Sequence, residues 1–167
     1  MNMRTLMAAG AALLLVPTCA VQAQEYEAGK VIKNFDAETL EAVVKSLKGE
    51  IEPTDDGRYK IKFANGITSI VKFGACGSGK CLGTNIQANF SKPSAKTPTQ
   101  MAVMVRDFNK SRAAAKIIWA ESGNTGVQGY FIADSGTTMA NYRAQINLHA
   151  YIAKLWADTI YPKKEGS

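Results

Sequence analysis

The chain has 167 residues, 46% of them hydrophobic and 20% charged, and a formal net charge of +6. That length suits one domain, able to bury a core without a structural metal. The lysines are scattered from Lys30 to Lys164 with no run of five or six basic residues, which excludes the clustered footprint of a nucleic-acid binder and leaves a mildly basic, solvated surface.

The opening residues MNMRTLMAAGAALLLVPTCAVQAQ have the three parts of a secretory signal peptide. Arg4 gives a positive start, Leu6 to Val16 is an apolar run broken at Gly10, Pro17 ends it, and Val21-Gln22-Ala23 places small residues before a cut. The run is shorter than the roughly 20 residues that cross a bilayer. Residues 1–23 are therefore expected to be removed between Ala23 and Gln24, leaving a periplasmic or secreted protein. Cys19 follows Val16-Pro17-Thr18, a poor match to the small residues that precede a lipidated cysteine. No second hydrophobic span follows, so no membrane span is expected in the mature chain. Cys76 and Cys81 are the two cysteines beyond the cut, and in an oxidising compartment such a pair is expected to form a disulfide.

Residues 24–34 read as a polar, flexible segment, loose at least to Gly29. Asp36 can cap a helix over Ala37 to Lys48, because Leu40, Val43, Val44 and Leu47 recur at helical spacing before Gly49. Pro53 to Gly57 is turn chemistry. Tyr59, Ile61 and Phe63 alternate with Arg58, Lys60 and Lys62, the pattern of a half-buried strand. Asn65-Gly66 predicts a two-residue hairpin into a second strand, Ile67 to Phe73. After the glycine-rich stretch 74–80, a third strand is expected over Leu82 to Phe90, with Leu82, Thr84, Ile86, Ala88 and Phe90 on one face. A polar linker, Ser91 to Pro98, leads to a helix from about Thr99 to Ser111 with Met101, Val105 and Phe108 inward. Strands over Ala113 to Glu121 and Gly126 to Asp134 turn at Ser122-Gly123-Asn124. A long last helix follows Ser135-Gly136, its apolar residues from Met139 to Ile160 three or four apart, and Pro162 ends it before a charged tail over 162–167. The order α-β-β-β-α-β-β-α predicts a two-layer α+β domain with an antiparallel sheet of about five strands and three helices.

One segment looks like chemistry. Gly74-Ala-Cys-Gly-Ser-Gly79-Lys80-Cys81 nearly matches a phosphate-binding loop after a strand. Cys81 replaces the hydroxyl residue that would hold magnesium, and a strand rather than a helix is predicted to follow. The glycines are better explained as a tight reversal with a structural bond between Cys76 and Cys81. The sharper alternative is a redox pair, though the four intervening residues differ from the two of the usual motif. His149, the single histidine, sits beside an apolar stripe and reads as a packed residue. No spacing supplies it with metal-ligand partners. Asp134 and Ser135 read as helix caps, Ser69 and Ser78 have no histidine at a motif spacing, and Trp119 and Trp156 read as core or interface residues. No catalytic residue, cofactor or metal is therefore assigned.

The strand Ile67 to Phe73 leading to the paired cysteines and then Leu82 to Phe90 resembles the YbjN domain of bacteria. So does Val103-x-Val105-Arg106-Asp107-Phe108-Asn109, followed by Arg112 and the strand at Lys116, and so does the hairpin ending at Gly136 before a long aromatic-bearing helix. The resemblance covers Phe35 to Ile160. The family pattern has a second asparagine-like position around the helix of Asn109, and none is placed here. The resemblance implies a sensory transduction regulator, the two-layer fold of type III secretion chaperones, and protein binding, with no catalytic residues to carry over. A periplasmic, non-catalytic protein-binding module is thus expected for 35–161, its partner a protein, a second copy included. The competing expectation is a thiol/disulfide redox protein centred on Cys76 and Cys81.

Overall fold

Helix α1, Ala37–Ser46, starts where the Asp36 carboxylate accepts from the Thr39 amide at 2.8 Å. It ends two residues earlier than its apolar spacing suggests, because Lys48 rather than Gly49 takes the left-handed conformation, with φ 57°. The computed structural model describes residues 25–112 and 114–162. After α1 come strands β2 (Glu50–Pro53), β3 (Tyr59–Lys62), β4 (Thr68–Gly77) and β5 (Lys80–Phe90), then α2 (Pro98–Ser111), β6 (Lys116–Trp119), β7 (Thr125–Ile132) and α3 (Met139–Ile160). Two short strands, β1 (Val31–Ile32) and β8 (Thr137–Thr138), pair antiparallel at the entrance to α3.

The main sheet is antiparallel, in the order β2-β3-β4-β5-β7-β6. It has six strands where the sequence predicts about five; the addition is β2, a polar edge strand with Ile51 as its one partly buried apolar side chain. One face carries Ile61, Val71, Ile86, Ala88, Ile117, Val127 and Phe131 into the core. Alternation along β5 buries Thr84, Ile86 and Ala88 as expected. Helices α1 and α3 cover this face and pack on each other, while α2 lies along β6. Trp156, Tyr142, Ile146 and Ile160 of α3 are fully buried, and Tyr142 gathers Phe35 and Phe131 at ring separations of 4.6 and 6.3 Å. Helix α2 opens with a capping box, Thr97 with Gln100, and Pro98 in its first turn. The arrangement is the two-layer α+β fold expected from the element order.

Asn109 of α2 closes an exposed edge. Its amide donates to the Ile117 carbonyl and accepts from the Ile117 amide, both at 2.9 Å. A side chain thus imitates a neighbouring strand and occupies groups that would otherwise be free on β6.

The turn at Asn65-Gly66 differs from the two-residue form predicted. The Phe63 amide donates to the Ile67 carbonyl at 2.8 Å and the Gly66 amide to the Phe63 carbonyl at 2.9 Å, so the loop has three residues. Gly66 alone of these is left-handed, at φ 83°. Asn65 instead uses its side chain, accepting from the Ile67 amide and donating to the Ala150 carbonyl of α3. Gly66→Val is expected to destabilise the domain by about 1 kcal/mol or more, because a β-branched residue resists positive φ. An unchanged melting temperature would show that the turn tolerates another geometry.

Candidate functional surface

The glycine-rich segment forms a tight hairpin rather than an open loop. Strand β4 runs to Gly77 and β5 restarts at Lys80, so the turn is Ser78-Gly79 alone, both left-handed at φ 50° and 76°. Paired positive φ values are those of a type I′ turn, whose twist matches the flanking strands. Cys76 and Cys81 are direct cross-strand partners, bonded, with Cα atoms 3.9 Å apart, closer than in most disulfides. The Phe35 amide donates to the Cys81 carbonyl at 2.7 Å, tying the hairpin to the start of α1. Cys76 itself is exposed. Cys81 is followed by nine further residues of strand, so the segment after this turn presents no helix N-terminus to hold a phosphate. The predicted cleavage site, Ala23 and Gln24, lies outside the described residues.

Ser69 and His149, 80 positions apart, meet in the core. Ser69 Oγ and His149 Nε2 are 3.1 Å apart, and Nδ1 has no hydrogen-bond partner among the described residues. Burial alone pushes the imidazole down to about 4. A serine–histidine pair acts as a nucleophile when the serine is accessible and a carboxylate orients the second ring nitrogen. Here both side chains are 1–2% exposed and no acid stands at Nδ1, so the pair is a packing contact. Asp134 and Ser135 are not the caps of α3: Ser135 and Gly136 form a left-handed turn into β8, and Thr138 caps the helix by accepting from the Asn141 amide. Trp156 is core, whereas Trp119 stands at the surface of β6. Among the described residues, no group of three His, Cys, Asp or Glu side chains could hold a metal, and no helix is long and apolar enough to cross a membrane.

Among the described residues no helix covers the second face of the main sheet, and its outward side chains are unlike those of a plain solvated surface. Lys60, Ile70, Gln87, Gln128 and Lys116 form one row across β3, β4, β5, β7 and β6. Lys72, Asn85 and Tyr130 form the next, and Asn89, Gly126 and Ile118 lie on the other side. Two contiguous clefts of about 420 and 350 Å3 share Gln87 and Asn89; Tyr130 walls the first and Trp119 the second. Tyr130 lies over Gly83, where any side chain would collide with its hydroxyl. Tyr130 and Ile132 are 53% and 62% exposed, and Ile118 is also exposed, concentrating large apolar groups on the β6–β7 half of this face. Charge is asymmetric too. Strands β4, β5, β6 and β7 contain no Asp or Glu. At the opposite edge Lys60 and Lys62 are matched by Glu52 and Glu50 at 2.7 and 3.7 Å.

No curated protein matches the chain. A family model, YbjN, described as "Putative bacterial sensory transduction regulator", matches residues 36–161. That span runs from the cap of α1 to the end of α3 and contains the whole six-stranded sheet with its uncovered face. On that match the chain belongs to the YbjN family.

Proposed function

We propose that the protein is an exported, non-catalytic regulatory module that binds a protein partner on the uncovered face of its main sheet. The observation that carries this reading is the composition of that face: exposed Tyr130, Ile118 and Ile132 beside a row of side-chain amides. Aromatic anchors surrounded by polar groups are what protein interfaces concentrate. The regulator description of the family agrees with it. The test is a photo-crosslinking residue at Gln128, in the middle of the face, in living cells. One stoichiometric protein adduct, absent when the residue is moved to the outer side of α1, is expected. Adducts with abundant background proteins alone would overturn the reading.

Export predicts a processed chain. N-terminal sequencing or intact mass of periplasmic material is expected to give Gln24 as the first residue. A lipid-bearing Cys19 would contradict this.

The redox reading rests on the exposure of Cys76 at the end of the β4–β5 hairpin. A structural role predicts something different from a catalytic one. The bond closes a short ring, so replacing both cysteines with serine should cost about 2 kcal/mol or less and leave partner binding intact. Normal folding with complete loss of function, together with a strongly oxidising reduction potential, would favour the redox protein instead.

A further inference from the structure

We infer that the uncovered face takes an acidic, extended protein segment that places an apolar side chain between two carboxylates, a statement that deepens the binding reading above and rests on it. The backbone of β3, β4, β5 and β7 is already paired on both sides, so a ligand cannot join the sheet as an extra strand there. Recognition must come from side chains. Lys72 and Lys116 supply the charge. Both are exposed, and among the described residues neither pairs with a carboxylate, unlike Lys60 and Lys62 on the β2 side. Gln87 and Gln128 between them can donate and accept, as a peptide backbone requires.

The spacing sets the ligand. Lys72 on β4 and Lys116 on β6 are three strand positions and one row apart, which is about 16 Å at usual sheet dimensions. That corresponds to about five residues of extended chain, with the middle residue above the clefts beside Tyr130. The footprint over four strands is roughly 400 Å2, about half of one side of a standard interface, so binding is weak and reversible. Such strength suits a regulator that must release its partner. Other occupants fit less well. A glycan would leave Ile70, Ile118 and Ile132 facing hydroxyls. A bilayer would strip water from the central amides without replacing their hydrogen bonds. A second copy would bring the same uncompensated cations.

The probe is the capped peptide Glu-Thr-Phe-Thr-Glu, whose first, third and fifth side chains share one face when extended, titrated into 15N-labelled residues 24–167 and followed by NMR. Its Lys-for-Glu counterpart, alginate and phosphatidylglycerol vesicles are run in parallel. Shifts confined to β4–β7, weakened by salt, are expected with the acidic peptide alone. The double variant Lys72→Glu, Lys116→Glu should lose the acidic peptide by about tenfold or more and gain the basic one. Both lysines are exposed, and an unchanged melting curve establishes that the variant is folded. Equal binding of the two peptides, no shifts, binding of alginate or vesicles instead, or dimerisation through this face would each overturn the inference. The crosslinking at Gln128 separates the two levels. A protein adduct whose contacting segment is neutral or basic defeats the acidic ligand and leaves the binding reading standing. No protein adduct and no peptide shift defeat both.

Discussion

Lowering the pH from 6.5 to about 4 is expected to remove about 3 kcal/mol of folding stability, through His149. Its imidazole is 2% exposed between α3 and β4, with Ser69 Oγ as its one hydrogen-bond partner among the described residues. No charged group contributes to the shift; burial alone disfavours the protonated ring and moves its pKa from 6.5 to about 4. In the unfolded chain the ring takes up a proton near 6.5, whereas the folded protein resists it until about 4. The stability this provides is therefore complete above 6.5, declines as the pH falls, and is gone below about 4. Asp56 and Glu52 are exposed, and Arg58 and Lys60 hold them below the usual carboxylate range, so these two titrate at lower pH. Urea denaturation at steps from neutral pH downward checks this. His149→Leu should flatten the slope, since no proton can then bind. A wild-type slope that survives in His149→Leu would assign the acid sensitivity elsewhere.

That contact shows where sequence reasoning stops. His149 is legible as a residue beside an apolar stripe, but its partner is set by how α3 crosses β4, and nothing local to Ser69 reports the crossing. Helix ends were legible where caps act locally, as at Asp36, and failed at Asp134 and Ser135, where a left-handed turn and β8 precede the true cap. Strand β2 was hidden because its evidence lies across strands: Glu50 and Glu52 find Lys62 and Lys60, a pairing invisible along the chain. The uncovered face was half legible. Asn85, Gln87 and Asn89 follow as the complement of buried Thr84, Ile86 and Ala88. Their joining to Gln128, Tyr130 and Ile118 depends on β7 inserting between β5 and β6, a choice of topology that alternation cannot express.

The largest single loss is expected from Trp156→Ala, at about 3–5 kcal/mol. Trp156 is fully buried and joins three elements. From α3 its indole N–H donates to Thr125 Oγ1 of β7 at 2.8 Å, and its ring meets Phe108 of α2 edge-on at 5.2 Å. Truncation removes the apolar surface, leaves a cavity in the core, and takes the hydrogen bond from the buried Thr125 hydroxyl. For a domain whose whole stability is about 5–15 kcal/mol, that is a large fraction, and the melting temperature should fall by on the order of 15 °C. Trp156→Phe keeps most of the ring contact and loses the hydrogen bond, so it should cost about 1–3 kcal/mol. The order of the two variants distinguishes packing from polarity: if phenylalanine costs as much as alanine, the bond to Thr125 rather than the filled volume holds α3 to the sheet. The Phe variant also keeps the question answerable should the alanine variant fail to fold. Because Trp156 lies on the core side of the sheet, a folded Phe variant should bind the acidic peptide as the parent does, the uncovered face being built from the opposite side chains of the same strands.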